Sequence, residues 1–311
     1  MLILKKWEKN VKAFSYLTPK NEPRIGIEYN KREYNFTWCW EVFKDIHSSG
    51  RGPQLSFLQI MVELEYFSAA TFKEVFDVIR EFRPLKDFRI KEDVRYQVPI
   101  GRPQKIICIG RNYTAHAAEH GHQPPDEPMF FAKAVSSMIP HQANIIIPAG
   151  IGAVEHEVEL GVIIGKQAKR ISENDAYDYI AGYTIVNDVS ARMMQKEDIT
   201  KGHPWFRSKS FDTFCPIGPY LVPNDAIKNP HHLDISLKVN GDIKQQSNTS
   251  KMIFKIPQLI AYISKYLTLE PGDIIATGTP EGVSPIEDGD IIEADIENFG
   301  TLRNFVFQEN S

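Results

Sequence analysis

The sequence predicts a β-rich protein of the α+β class, in which a smaller mixed unit precedes a larger domain. Short β-branched runs between glycines and prolines dominate the chain after residue 104, whereas helical periodicity is confined to a few segments. The predicted strands outnumber the predicted helices by too much for a fold in which strands and helices alternate regularly. The chain also lacks the glycine-rich patterns that bind dinucleotides and nucleotide phosphates.

The first hundred residues predict a strand that enters a hairpin, and one clear helix. Residues 24–30 alternate apolar and polar side chains and are followed by a polar turn. Residues 71–83 predict an amphipathic helix that stops before Pro84. Thr71 and Glu74 have the spacing of a capping box, so we expect them to satisfy backbone donors at the start of this helix.

The segment 98–104 combines two prolines with a glycine and is the predicted linker. It divides the chain into a small N-terminal domain, residues 1–97, and a larger domain, residues 98–311. In the larger domain, apolar runs bounded by turn signals predict strands at 105–110, 144–148, 158–165, 183–188 and 273–278.

Three further elements of the larger domain follow from local signals. The Asn-Gly pair at 240–241 lies between alternating segments and predicts a β-hairpin. One helix is predicted from Ser172 through Tyr179. A second helix is predicted over 257–266, and Pro257 suits its first turn.

Composition and charge exclude several classes of protein. The 311 residues include 36 basic and 40 acidic side chains, which gives a formal net charge of −4. A chain without surplus positive charge is a poor partner for a phosphate backbone, so we expect no nucleic-acid binding.

The three cysteines form no CxxC pair, which argues against a disulfide framework or a thiolate zinc site. No apolar stretch approaches the ~20 residues of a membrane helix, so we expect a cytoplasmic protein that binds no membrane.

The segment VEHEVELGVIIG (154–165) is the strongest candidate for a functional site, because glutamates alternate along it. In a strand, alternate side chains share a face, which would place Glu155, Glu157 and Glu159 together. Three carboxylates repel one another unless a cation neutralises them, and a hard ion such as Mg²⁺ or Mn²⁺ prefers oxygen ligands. A solvated edge strand explains the same spacing equally well. We expect His156 to face away from the carboxylates and to be structural.

Three other polar side chains follow strands or lie in loops. Asp188 ends an apolar strand, where a rigid scaffold presents functional groups, although a turn is the commoner role of such an aspartate. Lys209 lies among aromatic and small residues, and is either a snorkelling side chain or a cation that faces an anionic substrate. The loop that contains Thr277 and Thr279 offers hydroxyl and backbone N–H groups to a carboxylate.

A histidine and a glutamate form the last candidate pair. His116 and Glu119 are three residues apart, so one helical turn would bring them together. A carboxylate beside an imidazole raises its basicity and fixes its tautomer, as a general base requires, although a surface pair is the more common outcome. His120 and His122 lie close by, but the HExxH spacing of a histidine zinc site is absent.

Six segments follow one another in a specific order after residue 100: GRNYxxHAxE, EVELGVIIG, AGYTIVNDVSAR, KSFDTFCPIGP, ATGTPEGV and GTLRN. This ordered set resembles the fumarylacetoacetate hydrolase family over about two thirds of the chain. The resemblance implies a catalytic domain over residues 98–311, built as a mixed β-sheet roll, and a small α/β extension over residues 1–97. It also implies a homodimer, one Mg²⁺ or Mn²⁺ per subunit, and a small keto acid as substrate.

The resemblance assigns roles to individual side chains. The implied metal ligands are Glu157, Glu159 and Asp188, which leaves Glu155 outside the set. The implied catalytic residues are His116, Glu119 and Lys209. The implied substrate-binding residues are Arg111, Arg192, Gln195 and Thr279. The sequence departs from the family pattern before Lys209, where many members have a glycine, and at Met193, which replaces a common acidic residue.

The activity implied by the resemblance is hydrolysis of a C–C bond in a β-dicarbonyl acid of the acylpyruvate or fumarylpyruvate type. His116, oriented by Glu119, would activate water, while Lys209 and the metal would stabilise the enolate. The same site would also support isomerisation or tautomerisation of 2-oxo or 2-hydroxy-enoate dicarboxylates, or decarboxylation of oxaloacetate. The histidine–glutamate pair favours hydrolysis or decarboxylation, and a non-catalytic binding protein is the third hypothesis.

Overall fold

The structure is a computed structural model that describes residues 11–48, 50–119 and 123–309. The described strands form one large sheet and two smaller sheets, and short helices cover part of their surface. This β-rich architecture with few helices confirms the predicted fold class.

The described elements are numbered in chain order. The strands are β1 (Val11–Leu17), β2 (Pro23–Tyr29), β3 (Arg32–Asn35), β4 (Arg95–Gln97), β5 (Ile106–Gly110), β6 (Met129–Lys133), β7 (Met138–Ile139), β8 (Asn144–Ile147), β9 (Val154–Glu155), β10 (Val158–Ile164), β11 (Ile180–Asn187), β12 (Ser190–Ala191), β13 (Cys215–Pro223), β14 (Asp234–Val239), β15 (Asp242–Asn248), β16 (Ile274–Ala276), β17 (Pro285–Ile286), β18 (Ile291–Ile296) and β19 (Gly300–Gln308). The α-helices are α1 (Phe36–Ser48), α2 (Leu58–Glu63), α3 (Ala69–Phe82), α4 (Thr114–Glu119), α5 (Arg192–Lys201), α6 (Phe206–Lys209) and α7 (Ile256–Tyr266).

The large sheet continues from the first hundred residues into the rest of the chain. Its strand order is β3-β2-β1-β13-β11-β10-β16-β5-β6, with β4 beside β1 and β7 beside β13. Strand β1 pairs antiparallel with β13, where Ala13 lies opposite Leu221. Residues 98–104 lie outside helices and strands, as expected for a connecting segment. The division into two domains at residue 98 stays a prediction.

Apolar side chains pack against both faces of the large sheet. On one face, Ile163 of β10 joins a cluster with apolar residues of α1, α2 and α3. On the other face, Leu160 and Val162 pack against the five-stranded sheet β15-β14-β18-β19-β8. A strand covered on both faces is apolar throughout, which explains the run LGVIIG in and after β10. The N-terminal end of β10 is therefore held rigidly where the acidic residues lie.

Two of the helix predictions need correction. Helix α3 begins at Ala69, and its N-cap is Ser68, whose Oγ accepts a hydrogen bond from the Thr71 N–H at 3.0 Å. The capping box at Thr71 is therefore wrong, because that residue already lies in the first turn. The helix predicted from Ser172 is also wrong in extent, since only Ala176–Tyr179 forms a single 3₁₀ turn.

The other sequence-based elements are confirmed within a few residues. The hairpin at the Asn-Gly pair joins β14 to β15, and the helix predicted over 257–266 is α7. The five strands predicted in the larger domain correspond to β5, β8, β10, β11 and β16. In the part of the chain that the structure describes, no helix combines the length and apolar character needed to cross a membrane.

Candidate active site

One cavity of about 320 Å³ is lined by all the predicted site residues except Glu119. The predicted residues along its wall are Arg111, His116, Glu157, Glu159, Asp188, Arg192, Gln195, Lys209 and Thr279. Aromatic and aliphatic side chains complete the lining, among them Phe131, Ile199 and Trp205. A concave site with convergent polar groups and an apolar wall is typical of a small-molecule pocket.

The pairing of β10 with β11 brings the acidic residues together. Val158 lies opposite Asn187 in this antiparallel pair, so Glu157 and Asp188 are neighbours across the two strand ends. The Asp188 N–H donates to the Glu157 carbonyl at 2.8 Å, and the Glu157 N–H donates to Asn187 Oδ1 at 2.8 Å. The carboxylates are thus fixed by a backbone ladder rather than by a mobile loop.

Three buried cations surround two of the carboxylates. Lys209 Nζ lies 2.8 Å from Glu157 Oε2 and 2.7 Å from Asp188 Oδ2. Lys133 Nζ lies 2.7 Å from the other Asp188 oxygen, and the Arg192 guanidinium pairs with the other Glu157 oxygen. Both oxygens of each carboxylate therefore have a cationic partner.

The third carboxylate, Glu159, has a different environment. Its Oε2 accepts a hydrogen bond from the Gly278 N–H at 2.8 Å, and it forms no ion pair with any described residue. Burial and the like charges of Asp188 and Glu157 raise the pKa of Glu159 well above its usual range. Burial also raises the pKa of Glu157, but the opposing charges of Lys209 and Arg192 outweigh it and hold that pKa well below normal.

The donor set fits a hard divalent cation. One oxygen from each of Glu157, Glu159 and Asp188 lies within 4.8 Å of the other two, and all three residues are buried. Such a cluster of carboxylates is costly without a cation, and oxygen ligands are those that Mg²⁺ and Mn²⁺ prefer. The raised pKa of Glu159 is the physical sign of that cost.

Glu155 lies outside this set. It ends β9, which belongs to the small sheet β12-β9-β17, and β10 starts three residues later at Val158. The expectation that one strand holds all three glutamates is therefore wrong, because strand pairing is interrupted between β9 and β10 and Glu157 lies in that interruption. The Glu155 carboxylate instead pairs with Arg192 Nε.

Arg192 binds protein groups on every side. Its guanidinium donates to Glu155, to Glu157 and to the side-chain carbonyl of Gln195. Opposing carboxylates raise its pKa above the ordinary arginine value despite burial, which opposes the charge. In this geometry Arg192 fixes the Glu157 carboxylate, while Gln195 lines the cavity beside it.

His116 and Glu119 lie on helix α4 at the edge of the cavity. His116 Nδ1 is 3.8 Å from Glu119 Oε2, which is an electrostatic contact longer than a hydrogen bond. The Glu119 carboxylate accepts from the Gly282 N–H at 3.0 and 3.1 Å, so it also ties α4 to the loop that follows β16. The neighbouring histidines that the sequence singled out, His120 and His122, lie outside the described residues.

Thr279 lies in the loop that follows β16. Its hydroxyl donates to the Val158 carbonyl at 2.9 Å and accepts from Gln245 Nε2 at 2.8 Å. His156 is buried and contacts Gln245 and Ser284 instead of the carboxylates, as expected for a structural histidine. Burial lowers the pKa of His156, which favours its neutral form.

Arg111 lies at the end of β5 with a φ of 56°, a left-handed conformation that is uncommon outside glycine. Its guanidinium carbon is 5.9 Å from the centre of the Trp205 ring. Partial burial lowers its pKa slightly from the ordinary arginine value. Such backbone strain is typical of functional sites.

Sequence reasoning missed two buried residues of this region, Lys133 and Gln245. Lys133 ends β6, and its Nζ contacts Asp188 and the Val189 carbonyl. Gln245 is fully buried in β15, within a polar segment that predicts an exposed hairpin strand. The only local signal for Lys133 is a lysine at the end of an apolar strand, and Gln245 has none.

Comparisons with known proteins agree with this geometry. The family model described as "Fumarylacetoacetate (FAA) hydrolase C-terminal" matches residues 105–307. An uncharacterised protein of Pyrococcus abyssi is 53% identical over 210 residues, which cover 68% of this chain and 93% of that protein. The mitochondrial oxaloacetate tautomerase of Rattus norvegicus is 43% identical over 223 residues, covering 70% of each chain.

Solved structures extend the likeness to the first hundred residues. The fumarylacetoacetate hydrolase of Exiguobacterium antarcticum superposes with a TM-score of 0.76 at 30% identity, covering 96% of this chain and 100% of that one. The fumarylpyruvate hydrolase of Pseudomonas aeruginosa, solved with Mn²⁺ and pyruvate, has a TM-score of 0.65 at 33% identity. That match covers 71% of this chain and 94% of the other.

Proposed function

Since the chain belongs to the fumarylacetoacetate hydrolase family, we propose that it is a divalent-metal-dependent enzyme that forms the enol of a small 2-oxo acid. The observation that carries this proposal is the buried carboxylate triad with Lys209 beside it and His116 on the same cavity wall. The Mn²⁺ in the Pseudomonas aeruginosa relative supports a divalent ion at the triad. Either Mg²⁺ or Mn²⁺ suits these ligands, with one ion per subunit.

A bound divalent ion would act as a Lewis acid toward the carboxylate and oxo group of the substrate. We assign to Lys209, whose ammonium group lies beside Glu157 and Asp188 on the cavity wall, the stabilisation of the negative charge that develops on the oxo oxygen. His116 takes a proton from the carbon next to the oxo group, and that proton then passes to the oxygen to give the enol. Lys133 and Arg192 hold Asp188 and Glu157 in place during these steps.

Keto–enol tautomerisation of oxaloacetate is the reaction that we place first. The mammalian relative that is 43% identical over 70% of each chain is an oxaloacetate tautomerase. This reaction needs one proton-transfer group, and His116 lies on the cavity wall as a candidate for that role. The order differs from the sequence-based hypothesis, in which the histidine–glutamate pair placed hydrolysis ahead of tautomerisation.

Hydrolysis of an acylpyruvate is the second candidate, and one observation favours it. Glu119 lies 3.8 Å from His116, and a small closure of helix α4 would turn this contact into the hydrogen bond that orients a water-activating histidine. The structural relative bound to Mn²⁺ and pyruvate is a fumarylpyruvate hydrolase. Catalytic hydrogen bonds commonly shorten only when substrate binds.

Ultraviolet absorbance distinguishes the two reactions. Oxaloacetate is mixed with purified protein and Mg²⁺ or Mn²⁺, and the approach of the enol band to keto–enol equilibrium is followed against a blank. We expect faster equilibration that EDTA abolishes. A parallel assay with an acylpyruvate measures loss of the β-dicarbonyl band. Turnover of the acylpyruvate alone would exchange the order of the candidates, and turnover of neither would overturn the proposal. The Glu159→Gln variant controls for contaminating enzymes.

A further inference from the structure

The loop Gly278–Ser284, which we call the threonine loop, is connected to strand β10 by hydrogen bonds. The Gly278 N–H donates to Glu159, and the Thr279 hydroxyl donates to the Val158 carbonyl at 2.9 Å. Val158 lies between Glu157 and Glu159, the two glutamates of the triad. The loop and the acidic end of β10 therefore form the two sides of one cavity wall.

The side chain of Gln245 bridges these two sides. Its carbonyl oxygen accepts from the Val158 N–H at 3.1 Å, while its amide nitrogen donates to Thr279 Oγ1 and to the Pro280 carbonyl, both at 2.8 Å. A backbone N–H can only donate and a carbonyl can only accept, so the orientation of the amide is fixed at both ends. A flipped amide would lose both backbone contacts.

His156 completes the same network, and its tautomer follows from the orientation of Gln245. Its Nδ1 lies 2.9 Å from the Gln245 carbonyl oxygen, which is an acceptor, so Nδ1 carries a proton. Its Nε2 lies 2.9 Å from Ser284 Oγ at the far end of the threonine loop. In the neutral ring Nε2 accepts the hydrogen bond from the serine hydroxyl.

The network also limits what the Thr279 hydroxyl can do. Its only proton is given to the Val158 carbonyl, and one of its two lone pairs receives the Gln245 amide. The hydroxyl of this cavity-lining residue therefore has a fixed orientation that Gln245 helps to set. Moving Gln245 would free the Thr279 hydroxyl to rotate. It would also remove the acceptor of the Val158 N–H, which lies between Glu157 and Glu159.

We propose that Gln245 and His156 are positioning residues. They act through Thr279 and Val158 to hold the threonine loop in a fixed position relative to the carboxylate triad. Neither side chain lines the cavity. Because buried polar groups are costly when unpaired, a network with one satisfied arrangement keeps both sides of the wall in fixed relation. The role in substrate binding rests on the proposed function, whereas the effect on the triad does not.

Substitution of Gln245 by leucine tests the proposal, and Gln246→Leu is the matched control because Gln246 is the exposed neighbour on the same strand. We expect Gln245→Leu to raise the KM for oxaloacetate about tenfold or more and to weaken Mn²⁺ binding several-fold by calorimetry, since misplacement by ~1 Å has effects of this size. Gln246→Leu should leave both unchanged. A Gln245→Leu protein with a lower melting temperature but unchanged KM and Mn²⁺ affinity would overturn the proposal.

Two further measurements keep the proposal testable if that variant does not fold. Nitrogen-15 spectra of histidine-labelled wild-type protein without paramagnetic metal should show the proton of His156 on Nδ1, and a proton on Nε2 alone would refute the network.

His156→Asn keeps a donor near the position of Nδ1, so it should retain the Mn²⁺ affinity that His156→Leu loses. Equal affinities in these two variants would also refute it. Failure of oxaloacetate turnover in wild-type protein would count against the proposed function, while the Mn²⁺ and spectral results would still decide this inference.

Discussion

The two sides of the cavity wall are held by different forces. The acidic side consists of Glu157, Glu159 and Asp188 with three buried cations. Ion pairs hold Glu157 and Asp188, whereas Glu159 accepts a hydrogen bond from the Gly278 N–H. The threonine loop is held by neutral hydrogen bonds with Gln245 and His156, together with two backbone N–H groups that donate to the carboxylates of Glu159 and Glu119. The neutral side has a single satisfied arrangement. Charge neutralisation thus dominates on the acidic side, whereas the donor and acceptor geometry of Gln245 fixes the arrangement of the threonine loop.

The largest effect is expected from Glu159→Gln, which removes one charge from the acidic side. We expect Mn²⁺ affinity to fall by more than about 100-fold, beyond the range seen for residues outside the ligand set, and activity to be lost. Titration calorimetry measures the affinity. Glu155→Gln is the matched control, since Glu155 pairs with Arg192 and lies outside the triad. An equal loss in both variants would contradict the assigned ligand set.

The same variant should stabilise the metal-free protein. The pKa of Glu159 is raised in the folded state, so its ionised form destabilises the fold above that pKa. Glu159→Gln should therefore raise the melting temperature at neutral pH. The gain should be complete above the raised pKa, shrink as the pH falls below it, and vanish near the ordinary pKa of a glutamate, where the folded and unfolded carboxyls are both protonated. A constant difference at every pH would show that the buried charge of Glu159 is not its cause.

The next largest effect separates proton transfer from metal binding. His116→Ala should lower kcat by about 100-fold or more, the usual contribution of a general base, while Mn²⁺ affinity changes by less than about threefold. Steady-state kinetics and calorimetry on the same preparation check both values. Equal losses of kcat and affinity would mean that His116 supports the acidic side rather than the reaction.

Lys133→Met tests the cations of the acidic side, and its effect should be smaller. One Asp188 oxygen would lose its partner, and we expect Mn²⁺ affinity to fall about tenfold, as for other groups that orient a metal ligand. Lys133→Arg, which retains the charge, should recover part of this loss. Lys201→Met is a second control, because that exposed lysine forms an ion pair on the surface of α5. Unchanged affinity in Lys133→Met would show that Asp188 is held by its backbone alone.

The smallest effect is expected from Glu119→Gln. The amide keeps an acceptor for the Gly282 N–H but loses the charge that lies 3.8 Å from His116. We expect oxaloacetate tautomerisation to fall less than about fivefold, and acylpyruvate hydrolysis, if present, to fall at least tenfold. The ratio of the two rates is the measurement. A strong loss of tautomerisation would show that the pair acts as a unit in both reactions.

The sequence by itself determined the β-rich class, the positions of several central strands and the segments that form the cavity. These are local properties: apolar runs bounded by glycine and proline, and short motifs in a fixed order. Errors arose where a local pattern had two structural solutions. Ser68 replaces Thr71 as the helix cap, and Glu155 belongs to β9 and lies outside the carboxylate triad.

Only the tertiary structure decided which distant side chains meet. Lys133 pairs with Asp188 across 55 residues, and Gln245 meets His156 across 89 residues. It also showed that β1 joins β13, so the first hundred residues share the large sheet with the rest of the chain. Such contacts depend on strand order and register, which no short stretch of sequence encodes, because a buried polar group is satisfied by whatever partner the fold brings within reach.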